Sequence, residues 1–217
     1  MGPDRGRRIL LEIGANIGTG AVEAIHRHGF ERVLAFEPEP ENFKVLRMNA
    51  ILNGVEDRIE TIQAAISDTD GTAVLQVSSR NSGAHSLSGG EVRAIGTVEV
   101  PTLSFDGMVD RGQLDADAAS LLWMDIEGYE IHALMGGRSL LERSVPVVME
   151  LNPPVLEAAG RADQLLPTLA PHYTHVAKMR DLGKSGERSA FRPLEAIGDL
   201  LEESRAKAID VLVCRLP

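Results

Sequence analysis

The chain has 217 residues, 43% of them apolar, and a formal charge of −10 at neutral pH. That length and apolar content suit one soluble domain with a sizeable core, and the charge leaves no general basic field, which disfavours a nucleic-acid partner. Cys214 is the single cysteine, so no intrachain disulfide can form, and with no apolar run of membrane-spanning or signal length a cytoplasmic location without a membrane partner is expected.

In chain order, Ile9 to Ile13 reads as a strand and Thr19 to His28 as a helix with Ala21, Val22 and Ile25 inward and Gly29 as its stop. Arg32 to Phe36 is a second strand. Glu39 to Asn53 is a second helix, entered through Pro38 and Pro40, with Phe43, Leu46 and Ala50 at helical spacing. Ile59 to Ile66 is a third strand, after which Thr72 to Ser78 and Thr97 to Leu103 read as strands flanking a Ser, Gly and Asn-rich loop. A short helix over Phe105 to Asp110 precedes Ser120 to Ile126, a nearly continuous apolar run of the kind that forms a central parallel strand. Tyr129 to Glu142 is helical, Val145 to Leu151 is a buried strand, and Asn152-Pro-Pro154 breaks the pattern. A helical segment over 155–169, a strand near His175 to Met179, a helix over 194–207 and a last strand over 209–216 complete the prediction.

This alternation predicts an α/β fold with a mainly parallel seven-stranded sheet, helices on both faces, and a β-hairpin or loop insertion between the third and fourth core strands. One domain, 1–217, with the insertion at about 72–103 on the substrate side, is expected.

The most informative stretch is Glu12-Ile-Gly-Ala-Asn-Ile-Gly18, followed by Ala35-Phe-Glu-Pro-Glu-Pro40. A strand runs into a glycine turn, a helix follows, and the next strand ends on Glu37. In an open α/β sheet this is the layout of a nucleotide-cofactor site, with the acid placed to take a ribose hydroxyl pair. The glycine spacing fails the Gly-x-Gly-x-x-Gly dinucleotide fingerprint, because Asn16 and Thr19 interrupt it, and no phosphate loop is present. S-adenosylmethionine fits better, since it has no pyrophosphate. A nicotinamide dehydrogenase is the reading this spacing disfavours.

These segments, with Ala64-Ala-Ile-Ser-Asp68, Gly71 and Met124-Asp-Ile-Glu-Gly-Tyr-Glu130, resemble the FkbM-type methyltransferases of the Rossmann-like class I fold. The resemblance covers residues 9 to about 151. It implies S-adenosylmethionine as cofactor, S-adenosylhomocysteine as product, and a cofactor site carried by Glu12, Gly14, Asn16, Gly18, Glu37, Pro38, Ser67, Asp68 and Asp125. Glu12 is placed near the methionine amino group by the resemblance alone. Two departures stand out: Trp123 occupies a position where a Lys is usual, and only about eight residues precede the first strand. The short start implies a more open site or one completed by another subunit, that is, a homo-oligomer.

Each candidate has a plainer alternative. Asn16 could only cap the first helix, and Ser67 and Asp68 could only form an Asx-type turn into Asp70-Gly71. Asp125 has little structural reason to follow Leu121-Leu-Trp-Met124, and function is favoured there. Glu127 and Glu130 could cap the helix near Tyr129. Glu150 and Asn152 end the next strand, where with Asp125 they could face the reacting groups. Such oxygens would also suit a divalent ion, but the spacing is not diagnostic and no metal is expected. Asp125, Glu150 and the loop histidine His85 are the candidate catalytic bases for a hydroxyl acceptor. The expected function is O-methylation of a small-molecule acceptor, a sugar, polyketide or other natural product. A carboxyl methyltransferase or a catalytically idle cofactor- or partner-binding homologue is the alternative.

Overall fold

A computed structural model of the protein describes residues 8–78, 94–158, 160, 162–182, 187–204 and 207–216. Its N-terminal part follows the predicted alternation: β1 (Ile9–Ile13), α1 (Thr19–Arg27), β2 (Arg32–Phe36), α2 (Pro40–Leu52) and β3 (Ile59–Ile62). Pro40 stands in the first turn of α2, and the Glu39 side chain accepts from the Asn42 amide at 2.6 Å. This is an N-cap that satisfies one of the donors a helix start leaves open.

Past Ile62 the structure departs from the single strand expected over Ile59 to Ile66. The chain turns, with the Ala64 amide donating to the Ile62 carbonyl at 3.1 Å, and β4 (Ala65–Ile66) joins a second sheet. That sheet has the order β4-β6-β5, in which β5 (Gly71–Ser78) and β6 (Ala94–Leu103) form an antiparallel hairpin. Residues 63 to 66 are Gln-Ala-Ala-Ile, with no glycine, proline or other turn residue to mark the change of sheet.

After α3 (Phe105–Asp110) comes β7 (Ala119–Met124). The helix expected over Tyr129 to Glu142 is two, α4 (Glu130–Met135) and α5 (Arg138–Glu142), separated at Gly136-Gly137. The Gly136 carbonyl is taken by the Asp106 amide at 2.8 Å, and the Asp106 carboxylate caps α5 through the amides of Arg138 and Ser139. Then follow β8 (Val147–Leu151), α6 (Pro153–Ala158), α7 (Leu165–Leu169), β9 (His175–Lys178), β10 (Arg192–Pro193), α8 (Ile197–Glu203) and β11 (Ile209–Cys214).

The main sheet has eight strands in the order β10-β9-β11-β8-β7-β1-β2-β3, one more than expected. The addition is the two-residue β10. Strands β8, β7, β1, β2 and β3 are parallel, while β11 is antiparallel to both β8 and β9. Alternation along the strands splits their side chains between two cores. Leu11, Ile13, Met124, Met149 and Val211 belong to the larger core, with α3, α4, α5, α7 and α8. Leu10, Val33, Ala35 and Ile59 belong to the smaller one, with α1 and α2.

Helices α1 and α2 therefore shield β1 to β3. Over β7, β8 and β11 the same face carries no comparable layer among the described residues, and Trp123 of β7 stands 38% exposed there. Cys214 is buried, as its place in the last apolar run predicted. No helix among the described residues is long and apolar enough to cross a membrane.

Candidate active site

The turn after β1 is fixed from the neighbouring strand. The amides of Gly14 and Ala15 both donate to the Phe36 carbonyl, at 3.0 and 2.9 Å, and the Gly18 amide closes on the Ala15 carbonyl at 2.8 Å. Gly14 has φ +78°, and a Cβ built on it would lie 2.1 Å from the Asp125 carbonyl oxygen. Only glycine lets the turn pack this closely on the backbone leaving β7. Asn16 also sits in the left-handed region, at φ +51°, and its amide donates to Oε2 of Glu37 at 2.8 Å.

Glu37 is 5% exposed. Its amide donates to the Ile62 carbonyl at 3.1 Å, and its Oε1 accepts from the Glu39 amide at 2.9 Å. One carboxylate thus ties the turn after β1 to the start of α2. Burial pushes its pKa up to about 7 against the pull of those amide donors.

These groups line a cavity of about 680 Å³ at the carboxyl ends of β1, β2 and β7, a size suited to a small cofactor and its partner. Glu12, Gly14, Asn16, Glu37, Pro38 and Asp125 are on its wall. Gly18, Ser67, Asp68 and Glu150 are not among the lining residues. His85 lies outside the described residues, with the rest of the loop expected between the hairpin strands up to residue 93.

Ser67 and Asp68 follow β4 just outside the cavity. The Ser67 hydroxyl donates to Asp68 Oδ1 at 3.0 Å and lies 3.3 Å from the Tyr129 hydroxyl. Tyr129 does line the cavity, and its ring stacks on His132 with centroids 4.0 Å apart. The turn into the hairpin uses Asp70, whose carboxylate accepts from the Ser104 amide at 2.8 Å and pairs with Arg111.

Beyond Met124 the chain passes through Glu127 at φ +49° and Gly128 to α4. Glu130 is 1% exposed and its Oε1 accepts from the Gly128 amide at 3.1 Å, which makes it the capping residue of this turn. Asp125, Glu127 and Glu150 each offer an oxygen within 4.8 Å of the others'. Asp210 joins them because β11 pairs it with Glu150. Burial, then the nearby charges of Asp125, Glu127 and Asp210, pushes Glu150 up to about 7. Asp125 is raised by burial and then by Asp210.

Asp210 is not legible as a site residue from local sequence, since its register against Glu150 depends on a strand far along the chain. Tyr129 lies inside the Met124 to Glu130 motif, where no local signal marks it as a cavity residue. Trp123, which departs from the usual Lys, lies on the cavity wall.

Burial pushes Glu12 up to about 8, and Glu37, Glu130 and Glu150 each up to about 7. A carboxyl whose folded pKa lies above its unfolded value contributes stability that is complete below the unfolded pKa, about 4.5, and is lost as pH rises through the folded one. The ligand-free protein is therefore expected to melt at a lower temperature at about pH 8.5 than at about pH 5.5. Glu130 alone accounts for on the order of 2 kcal/mol of that difference, so Glu130→Gln should flatten the slope. Melting curves recorded across this window check it. A melting temperature that climbs with pH would contradict the sign.

The family profile described as "Methyltransferase FkbM domain" matches residues 12–185, which contain the glycine turn, Glu37, Asp125 and Glu150. The chain belongs to the FkbM methyltransferase family. Among curated relatives it is 26% identical over 184 residues to the 2-O-methyltransferase NoeI of Sinorhizobium fredii, covering 78% of this chain and 74% of the relative. It is 40% identical over 63 residues to the 31-O-demethyl-FK506 methyltransferase FkbM of Streptomyces tacrolimicus, a match covering 29% of this chain and 24% of that one. Both relatives are O-methyltransferases, so O-methylation is the activity supported at the level of the family.

A crystal structure of methyltransferase FkbM from Methylobacillus flagellatus superposes with a TM-score of 0.50 at 19% identity, over 76% of this chain and 38% of that longer one. It shares the class I fold, with its mostly parallel central sheet.

Proposed function

We propose that the protein transfers the methyl group of S-adenosylmethionine to a hydroxyl of a small-molecule acceptor. The observation that carries this reading is the glycine turn locked to Glu37 at the mouth of a cavity that also holds Asp125, in a chain of the FkbM family. Glu37 is placed to accept from the ribose hydroxyls, with Gly14, Asn16, Gly18 and Pro38 shaping the turn beside the cofactor. Tyr129, backed by Ser67 and Asp68, borders the adenine side. Asp125, against whose backbone Gly14 packs, faces the positively charged sulfonium end.

Methyl transfer from a sulfonium is an in-line displacement with a neutral leaving group, so alignment is the main task. Holding the reactants in attack geometry supplies on the order of 7 kcal/mol or more. A hydroxyl nucleophile must also lose its proton. Glu150, pushed up to about 7 by burial and then by the charges of Asp125, Glu127 and Asp210, is matched to that role near neutral pH. We take the β5–β6 hairpin as the substrate-side insertion of a single methyltransferase domain.

The test is a thermal-shift and turnover pair. S-adenosylhomocysteine is expected to raise the melting temperature while NAD leaves it unchanged, and a screen of hydroxylated small molecules with labelled S-adenosylmethionine is expected to yield a methyl ether. Stabilisation by NAD and not by S-adenosylhomocysteine would overturn the reading.

A further inference from the structure

Helix α2 is apolar on two faces. One face closes the smaller core through Leu46 and Ala50, and the Asn49 side chain donates to the Ile17 carbonyl at 2.7 Å, which ties the helix to the glycine turn. The other face carries Val45, Met48, Ile51 and Leu52, exposed by 38, 58, 59 and 77%. Residues three and four apart share a side of a helix, so Val45, Met48 and Leu52 form one row with Ile51 beside it. These are four of the seven large apolar side chains that stand exposed among the described residues, so the exposure is concentrated on one element. Apolar residues scattered singly over a surface need no explanation, whereas a contiguous stripe does.

The stripe exposes roughly 400 Å² of apolar surface, the size at which such a patch marks an interaction site. Two copies placed stripe to stripe would withdraw about 800 Å² from water. That is the apolar share, about 65%, of a homodimer interface of about 1,200 Å² in total, the lower end of stable interfaces. The charges allow the contact. Glu41 and Lys44, at the N-terminal end of the stripe, pair with each other at 2.6 Å, and Arg47 stands about 100° around the helix from Met48, clear of the row. An antiparallel pair also sets the positive start of one helix beside the negative end of the other. A membrane surface fits less well. A helix that lies in one has a polar face rich in Lys and Arg, whereas the opposite face of α2 is buried in the core of a chain with a charge of −10.

We propose that the outer face of α2 is a self-association surface, on which two copies of this chain pack antiparallel along the stripe about a twofold axis through Met48. Met48 then lies against its own copy, and Val45 of each chain against Ile51 of the other, an isologous contact that closes at two. A methionine at the axis suits this position, because its unbranched side chain adjusts to its copy. None of the four side chains lines the cavity, so the contact lies behind the glycine turn and does not cover the site. The proposal stands independently of the methyltransferase reading.

Sedimentation equilibrium at about 1 to 200 μM is expected to show monomer and dimer in exchange, with a dissociation constant in the micromolar range, as an interface of this size gives. Met48→Glu places like charges at the axis and is expected to weaken the dimer by about 30-fold or more. Its melting temperature, taken well below the dissociation constant, should stay within about 2 °C of the wild type. Ile51→Asp should act in the same way and serves if Met48→Glu does not fold. Cys214 is buried, so a thiol introduced on α2 reports on that helix alone. Met48→Cys is expected to form a disulfide-linked dimer under mild oxidation. Leu52→Cys, at a more exposed position, is expected not to, because four residues on each side of the axis separate the two thiols by about 12 Å along the helices, beyond the reach of a disulfide.

A wild-type protein that stays monomeric throughout that range would overturn the proposal. So would a dimer that both charged variants leave intact, since another face would then carry it. Crosslinking of Leu52→Cys equal to that of Met48→Cys would refute the antiparallel arrangement. Binding to phosphatidylcholine vesicles by a protein that does not self-associate would assign the stripe to a lipid surface and overturn the proposal as well.

Discussion

Replacing Glu37 with alanine is expected to weaken S-adenosylhomocysteine binding by about 100-fold or more. The carboxylate has two tasks. It would accept from the ribose hydroxyls, where each charge-assisted hydrogen bond contributes about 1.5 to 3 kcal/mol, and it holds the amides of Asn16 and Glu39. Alanine removes both, leaving two backbone donors unmatched at the edge of the site. At about 1.4 kcal/mol per ten-fold change, loss of the ribose contacts alone reaches the stated factor. Glu37→Gln separates the two tasks, because the amide keeps the side chain's shape and one acceptor oxygen; an intermediate loss is expected. Calorimetric titration measures both variants. Wild-type-like affinity in Glu37→Ala, with an unchanged melting temperature, would reject the assignment of this residue to the ribose.

Gly14→Ala is expected to destabilise the protein by about 3 to 5 kcal/mol, a large share of the stability of a domain this size. Two effects add. An alanine at φ +78° carries left-handed strain, and its Cβ would lie 2.1 Å from the Asp125 carbonyl oxygen, a contact between two backbone segments that rotamer changes cannot relieve. Gly54→Ala is the control, since Gly54 has φ +65° and nothing within 4 Å of the added Cβ. It should lose only the strain, about 1 kcal/mol. At roughly 2 to 4 °C per kcal/mol for chains of this length, thermal melts should separate the two variants by several degrees. Equal melting temperatures would mean that the turn does not press on Asp125 as described.

The parts of this fold that were legible in the sequence are those fixed by local chemistry. Nearly continuous apolar runs indicated β1 and β2, whose bounds match the prediction, and Pro40 with Glu39 marked the start of α2. The glycine turn and Glu37 could be read together because one strand, one turn and the next strand place them side by side. The rest depends on contacts distant in sequence. Nothing local separates β3 from β4, because Gln63 and Ala64 between them include no turn residue. The break between α4 and α5 follows from Asp106, some thirty residues earlier, taking the Gly136 carbonyl and the α5 amides. Glu150 could be proposed from its strand end, but the burial that raises its proton affinity, and the added charges of Asp125 and Glu127 after β7 and Asp210 in β11, exist only in the assembled sheet. The open half of the sheet, and with it the surroundings of Trp123, could not be foreseen from residues 121 to 124 alone, since a continuous apolar run reads as buried on both faces.

The position of β11 bears on how the molecule is assembled. This strand, late in chain order, lies in the interior of the sheet, and β9 with β10 attaches to the rest only through it. On the ribosome, β1, β2, β3, β7 and β8 can pair as they emerge, whereas β9 has only the two-residue β10 beside it until residues 209–214 have been synthesised. During that interval β8 is an exposed edge strand and β9 is open along the side that β11 will fill, the kind of intermediate on which chaperones act and from which aggregation starts. Removing β11 would not trim the margin of the sheet. It would split the sheet in two, and Glu150 would lose the strand that brings Asp210 beside it.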